Sequence, residues 1–446
     1  MTRLAKFVIL AWSISIMGAC GDRGETKSLP EPAPAPPAVQ RPVTAKGNQS
    51  ILFLEARIKN DPDDYIAHNK LASEYVQQMR ATGDTTYLEL ALKAAKASLS
   101  IVPAEQNKGG LAALAIAEFS LHDFVNSRDH ALRLTQVDPN KGYTYQILGD
   151  ALLELGQYDD AKAAFKEMED LGGFQPLTQV AIEQRLSRMA ALNGDTTKAV
   201  AHMRAALQIA EKPPGTTAET VAWCQWQLGR MAFGTGDYAT AEKYYNASLA
   251  TLPDYFGALG SIGYLRAARG DLAGAIENLE KVVSLRPDPA AIASLADVYK
   301  MAGRDSDAQR QYVLLDEIAR ISAAKGGIYN RELSMFYANH DLKSAEACDA
   351  TIKEYETRRD IYGADAVGWT CYKAGRMDEA RTAMRDALRL GTKDAQLFYH
   401  AGMIEKASGN KTEAKRLLAA ALKLSPSFDL LQSETARTAL RELDAK

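Results

Sequence analysis

The sequence predicts an all-α chain built as a solenoid: about ten helix-turn-helix units in a row, with a capping helix at each end. Three observations predict it. Gly229, Gly236, Ala241 and Pro253 return as Gly263, Gly270, Ala275 and Pro287, each 34 residues later. The same spacing joins Gly375 and Ala380 to Gly409 and Ala414. The eighth position of every unit is small: Ala72, Ala115, Gly149, Ser187, Gly229, Gly263, Ala296, Ser334, Gly368 and Gly402.

Each part of the period has a physical reason. A small residue at the eighth position and an alanine at the twentieth let two antiparallel helices approach closely. A large residue near the twenty-fourth fills the space below. The turn glycine reverses the chain, and the proline stops the second helix before the next unit. The units start near Tyr65, Lys108, Gly142, Val180, Ala222, Phe256, Pro289, Gly327, Ile361 and Ala395. Unit one carries extra residues, "RATGDTT", in its turn. Unit two replaces the turn glycine with His122 or a neighbour, and unit eight turns through "NHDL". Caps are expected from Ser50 and from Leu430 to Ala445, since a repeat array must shield its apolar ends.

This pattern resembles the tetratricopeptide repeat over nearly all of residues 50–446. The resemblance implies an α-solenoid wound as a right-handed superhelix. It also implies that the first helices line a concave surface.

Residues 1–19 are expected to be a signal peptide and residues 20–49 a tether. Arg3 and Lys6 precede an apolar run, Phe7 to Met17, of eleven residues. That is too short to span a bilayer, which takes about 20. The run ends in "MGAC", which resembles the lipobox of bacterial lipoproteins, with Met17 where leucine is usual. The resemblance implies lipidation at Cys20, and Gly21 after it points to the outer membrane. The alternative is an ordinary signal cleaved near Ala19. Six prolines in residues 21–49 favour an extended segment, which reaches at most ~100 Å at about 3.3 Å per residue.

Charge is balanced, with 53 basic and 56 acidic side chains, which argues against a nucleic-acid binder. There is no Walker loop, nucleophile elbow, HExxH or CxxC, and the six histidines are scattered. No enzyme, cofactor or metal is expected. After Cys20 the cysteines are Cys224, Cys348 and Cys371. Cys348 and Cys371 fall on neighbouring helices, so a disulfide is open, although small buried thiols are the preferred reading.

The stretch "WCQWQLGRMAF" supplies the candidate site. Trp223, Trp226, Arg230 and Phe233 hold the second, fifth, ninth and twelfth positions of unit five, within about an 80° arc at 100° per residue. Leu228, Gly229 and Ala232 fall opposite. In the resembled family the first set points into the groove. The same frame adds Tyr264, Tyr362, Trp369, Tyr372 and Tyr399, with Gly257 and Gly260 as a low floor beside Trp226. The alternative is that these aromatics pack against the next unit's first helix. The family's carboxylate clamp is missing, because its positions hold Asn69 and Ser73, then Ala112 and Ile116. The expected function is a membrane-anchored scaffold of the bacterial envelope that binds a protein or extended peptide in an aromatic groove. A periplasmic glycan or small-ligand binder, and a fixed subunit of an envelope machine, are the alternatives.

Overall fold

The computed structural model describes residues 45–82, 84–173, 175–212, 216–324 and 330–445. Cys20, the expected signal peptide and the expected tether up to residue 44 lie outside the described residues. Among the described residues there are 22 helices and no strand. The capping helix α1 (Ala45–Asn60) leads into ten hairpins. Units one to five are α2 (Tyr65–Thr82) with α3 (Thr86–Ile101), α4 (Lys108–Ser120) with α5 (Phe124–Val137), α6 (Gly142–Glu154) with α7 (Tyr158–Leu171), α8 (Pro176–Leu192) with α9 (Thr196–Glu211), and α10 (Ala218–Gly234) with α11 (Tyr238–Thr251). Units six to ten are α12 (Phe256–Ala268) with α13 (Leu272–Leu285), α14 (Pro289–Met301) with α15 (Asp305–Ala324), α16 (Asn330–Asn339) with α17 (Ser344–Tyr355), α18 (Ile361–Lys373) with α19 (Met377–Ala387), and α20 (Ala395–Ala407) with α21 (Lys411–Leu424). The closing cap is α22 (Gln432–Asp444). The fold is an all-α solenoid, as the period predicts.

Several boundaries differ from expectation: α8 and α10 begin four residues early, at Pro176 and Ala218. Helix α1 begins at Ala45, inside the stretch expected to be extended tether. In unit one the inserted residues do not form a longer loop: α2 continues through them to Thr82.

The period acts through one contact per hairpin. A Cβ added to Gly149 would lie 2.4 Å from the Phe165 ring, and one on Gly229 would lie 2.4 Å from the Tyr245 ring. At Gly263, Gly368 and Gly402 the facing side chains are Leu279, Met384 and Leu418. The eighth position is small because the large twenty-fourth residue of the same unit rests on it. Where serine stands there instead, at Ser187, its hydroxyl donates to the Ala199 carbonyl at 2.7 Å and so uses the same close approach.

Most turns place a left-handed residue after the first helix, and in units two, four, five, six and ten an aspartate or asparagine then caps the second. Gly236 has φ +76°, and Asp237 accepts from the Thr240 N–H at 3.1 Å. In unit two His122 takes the left-handed position with φ +61°, and in unit eight Asp341 takes it with φ +55°. These are the two turns that lack the glycine.

Cys348 and Cys371 form a disulfide, with Cα atoms 4.7 Å apart. This corrects the preference for free thiols. Helices α17 and α18 cross closely enough, and both side chains are fully buried, so the two sulfurs have little else to meet. Cys224 is buried and free, and burial pushes its thiol up.

The superhelix winds until its C-terminal units touch its middle units. The apolar core of units two to four continues without a break into that of units eight to ten. Glu154, at the end of α6, is gripped by Arg188 from unit four and by Arg358 from the loop after unit eight. Arg358 also lies 4.9 Å over the Phe124 ring, and Tyr158 Oη accepts from the Ile361 N–H at 2.8 Å. Burial alone would raise the Glu154 carboxyl, but Arg188 and Arg358 outweigh it and hold it down at about 2.

Two expected outcomes follow from these contacts. Ala241 is fully buried beneath the neighbouring helix, so Ala241→Leu should destabilise by roughly 1–3 kcal/mol through overpacking. Hydrogen exchange should show the opening concentrated in the flanking units, as in a near-linear array. Uniform opening along the chain would contradict it. Glu154→Gln should cost about 3 kcal/mol near pH 7, the lower end for a broken buried pair because Arg188 is half exposed. The folded carboxyl lies below its ordinary value of 4.5, so the pairing contributes fully above about 4.5 and fades as pH falls toward 2. Melts of both proteins at pH 7 and pH 3 check this: the gap should narrow at pH 3.

Candidate functional site

The frame that selects the second, fifth, ninth and twelfth positions of each first helix does select the inner face. What lies against that face differs along the chain. In units one to three it is open. In units five, six, nine and ten, where the aromatics are, neighbouring helices and loops cover it.

Unit nine shows the cover most plainly. Trp369 is 2% exposed, and Tyr399 is buried equally. The Trp369 ring stacks on His400 of the next first helix, centroids 4.2 Å apart at 17°. Its indole N–H donates to Asn339 Oδ1 of the preceding unit at 2.7 Å. His400 is itself fully buried and its Nδ1 pairs with Asp365 at 2.8 Å. The expectation that Trp369 and Tyr399 line an open groove is therefore corrected: they are core where α18 crosses α20. Tyr372 is half-buried beside Trp369, with ring centroids 5.2 Å apart.

Unit five is intermediate. Trp226 is half-buried and donates from its indole N–H to Ser261 Oγ of the next unit at 2.9 Å. Gly257 is not an empty floor. A Cβ there would lie 2.9 Å from the Trp226 ring, so the glycine exists to let the indole lie across it. Trp223 is half-buried against the apolar clusters on both sides of α10. Arg230 stays exposed, with its guanidinium 5.1 Å over the Trp226 ring. Phe233 packs edge-on against Tyr264, at 5.7 Å and 76°. Tyr264 is held by the C-terminal segment: its hydroxyl donates to the Phe428 carbonyl at 3.5 Å and accepts from the Leu430 N–H at 3.2 Å. Burial pushes the Tyr264 phenol well up, with Asp429 and Asp297 adding to it. Of the candidate aromatics Tyr362 is the most open, at 41%.

The open part of the inner face lies elsewhere. A trough of about 550 Å³ runs between α1 and the first helices of units one to three. Its lining includes Phe53, Leu54, Asn69, Ala112, Ile116 and Tyr143. Asn69, Ala112, Ile116 and Tyr143 hold groove positions of the frame. Phe53 is 64% exposed, a large apolar side chain with nothing over it. The Asn69 amide donates to Asn107 Oδ1 at 2.8 Å, and the exposed Lys70 also lines the trough. Sequence reasoning missed this trough because it ranked positions by aromatic content. The usable signal was the run of small residues, Gly109, Ala112 and Ala113, which leaves space.

Among the described residues no group of three or more His, Cys, Asp or Glu could hold a metal ion. The burial difference sets a stability contrast. Trp369→Ala should cost about 3–5 kcal/mol, as for a truncated core aromatic. Arg230→Ala should stay within about 0.5 kcal/mol. Urea melts of the two variants decide it, and a small loss at Trp369 would contradict its place in the core.

Three tetratricopeptide repeat family models match the chain, over residues 179–254, over residues 227–292, and over residues 143–169 with 395–428. Human tetratricopeptide repeat protein 36 is 33% identical over 89 residues, covering 19% of this chain and 47% of that protein. The mouse protein of the same name is also 33% identical over 89 residues, 48% of its length. The chain thus spans about half the length of the curated relatives it matches. A solved tetratricopeptide repeat protein from Parabacteroides merdae shares 15% identity at a TM-score of 0.34, over 60% of this chain and 99% of that one. Yeast Tom70 shares 12% at 0.34, over 85% and 96%. With ten hairpins of the matching period and these family models over units three to six and ten, the chain is a tetratricopeptide repeat protein.

Proposed function

We propose that this chain is a lipid-anchored scaffold of the bacterial cell envelope that takes a protein or peptide partner in its N-terminal trough. The observation that carries the reading is the uncovered inner face between α1 and unit three, with Phe53 and Tyr143 exposed along it. Exposed aromatics over a floor of small residues are what an apolar anchor from a partner needs. The short apolar run ending in Cys20 supports the anchor. The Cys348–Cys371 disulfide is in keeping with an oxidising compartment. The alternative of a glycan binder using the aromatic arc loses support, because helices and loops cover most of those ring faces.

The test has two arms. Cys20→Ser should release the protein from the membrane fraction, or leave the precursor unprocessed. Full membrane retention of a processed variant would count against the anchor. For the site, Phe53→Asp with Tyr143→Ala should keep the unfolding free energy within about 0.5 kcal/mol of wild type, since both side chains are exposed. The same pair should weaken partner capture in cross-linking pull-downs at least tenfold, about 1.4 kcal/mol. Undiminished capture by that double variant would remove the trough as the site.

A further inference from the structure

The turn glycines fall into two groups. Gly156, Gly194, Gly236, Gly270, Gly303, Gly375 and Gly409 all have positive φ, between +70° and +85°. For Gly270, Gly303, Gly375 and Gly409 an added Cβ would meet nothing within 4 Å. For the other three it would strike a distant part of the chain: 2.2 Å from the Arg359 carbonyl at Gly156, 2.4 Å from the Gly391 carbonyl at Gly194, and 3.2 Å from Pro426 Cδ at Gly236. Three consecutive turns, of units three, four and five, thus seat the three consecutive loops that follow units eight, nine and ten. Thr392 Oγ1 donates to the Leu192 carbonyl in the same seam.

The last of these loops does more than touch. Residues Ser425–Leu430 run across units five and six. Ser425 Oγ donates to the Phe233 carbonyl at 3.2 Å, and the Ser427 N–H donates to Tyr238 Oη at 2.8 Å. The Leu430 N–H donates to Tyr264 Oη at 3.2 Å, and the Leu430 side chain packs on the core of units six and seven. The two N–H bonds read main chain only. They suit a turn-forming segment with amides three residues apart, small or proline residues at its start and an apolar side chain at its end.

We infer that the inner face of units five and six is a second peptide site, occupied in cis by the turn segment Ser425–Leu430, and that unwinding the seam frees it for a turn-forming segment of that chemistry from a partner. The site is separate from the N-terminal trough and does not rest on it.

The experiment uses full-length protein. Gly156→Ala with Gly194→Ala presses methyl groups on seam carbonyls. Gly375→Ala with Gly409→Ala imposes the same backbone strain away from the seam. Small-angle scattering should show a larger radius of gyration for the seam pair alone, with helicity by circular dichroism equal in both. A labelled synthetic peptide of residues 424–431 should then bind the expanded protein at least tenfold more tightly than it binds wild type or the control pair. Tyr264→Phe added to the seam pair should weaken that binding. Should the seam pair misfold, Arg358→Ala with Tyr158→Phe loosens the same seam by truncation and takes its place. Equal dimensions in seam and control variants, or an expanded protein that ignores the peptide, would overturn the inference.

Discussion

The whole architecture depends on one contact repeated along the chain: a large side chain near the twenty-fourth position of each unit resting on a residue at the eighth that has little or no side chain. Phe165 on Gly149 and Tyr245 on Gly229 are its plainest cases. The contact fixes how closely two antiparallel helices lie, and so the wedge that each hairpin adds to the stack. A wedge repeated ten times becomes curvature. Curvature held over that many units brings units eight to ten back against units three to six. The seam, the buried Glu154 and the cover over the aromatics are long-range results of a local packing rule.

This explains what could be read from the chain and what could not. The hairpin order, most turn positions and even His122 as a stand-in for glycine are local, set by spacing and turn chemistry. They were legible. The inner face was legible as a set of positions, because 100° per residue puts Trp226 and Arg230 on one side and Leu228 on the other whatever lies beyond. What lies beyond was not legible. No periodicity in residues 361–399 reports that Trp369 meets His400 of the next helix, and nothing near Tyr264 announces Leu430, 166 residues away. The disulfide has the same character. Two cysteines on adjacent helices are only candidates until the crossing brings their Cα atoms to 4.7 Å.

The seam also shows why burial and charge occur together here. Drawing two superhelical layers together buries carboxylates that would otherwise meet water. Arg358 answers several of these at once: it pairs with Glu154 and Glu354, approaches Asp360 and covers Phe124. Arg331 completes the group, with Asp360 at 2.9 Å and Glu354 at 2.8 Å. Such a network contributes less net stability than its contact count suggests, because desolvation opposes it. Its firmer contribution is register, since a slip of the loop after unit eight would strand Glu154 beside Arg188 without Arg358.

Aromatic content then takes on a different meaning in this solenoid. Where the inner face is large and aromatic, in units five, six, nine and ten, the volume is spent on the molecule's own neighbours, and Gly257 under Trp226 is the matching recess. Where it is small, as at Ala112, the trough persists. An inner face built of alanine and glycine is therefore the better guide to a vacant site, and a tryptophan beside a glycine one unit later is the better guide to self-contact. The two candidate binding surfaces differ accordingly: the trough is open at rest, whereas the face of units five and six is reached only by exchanging a segment the protein already holds.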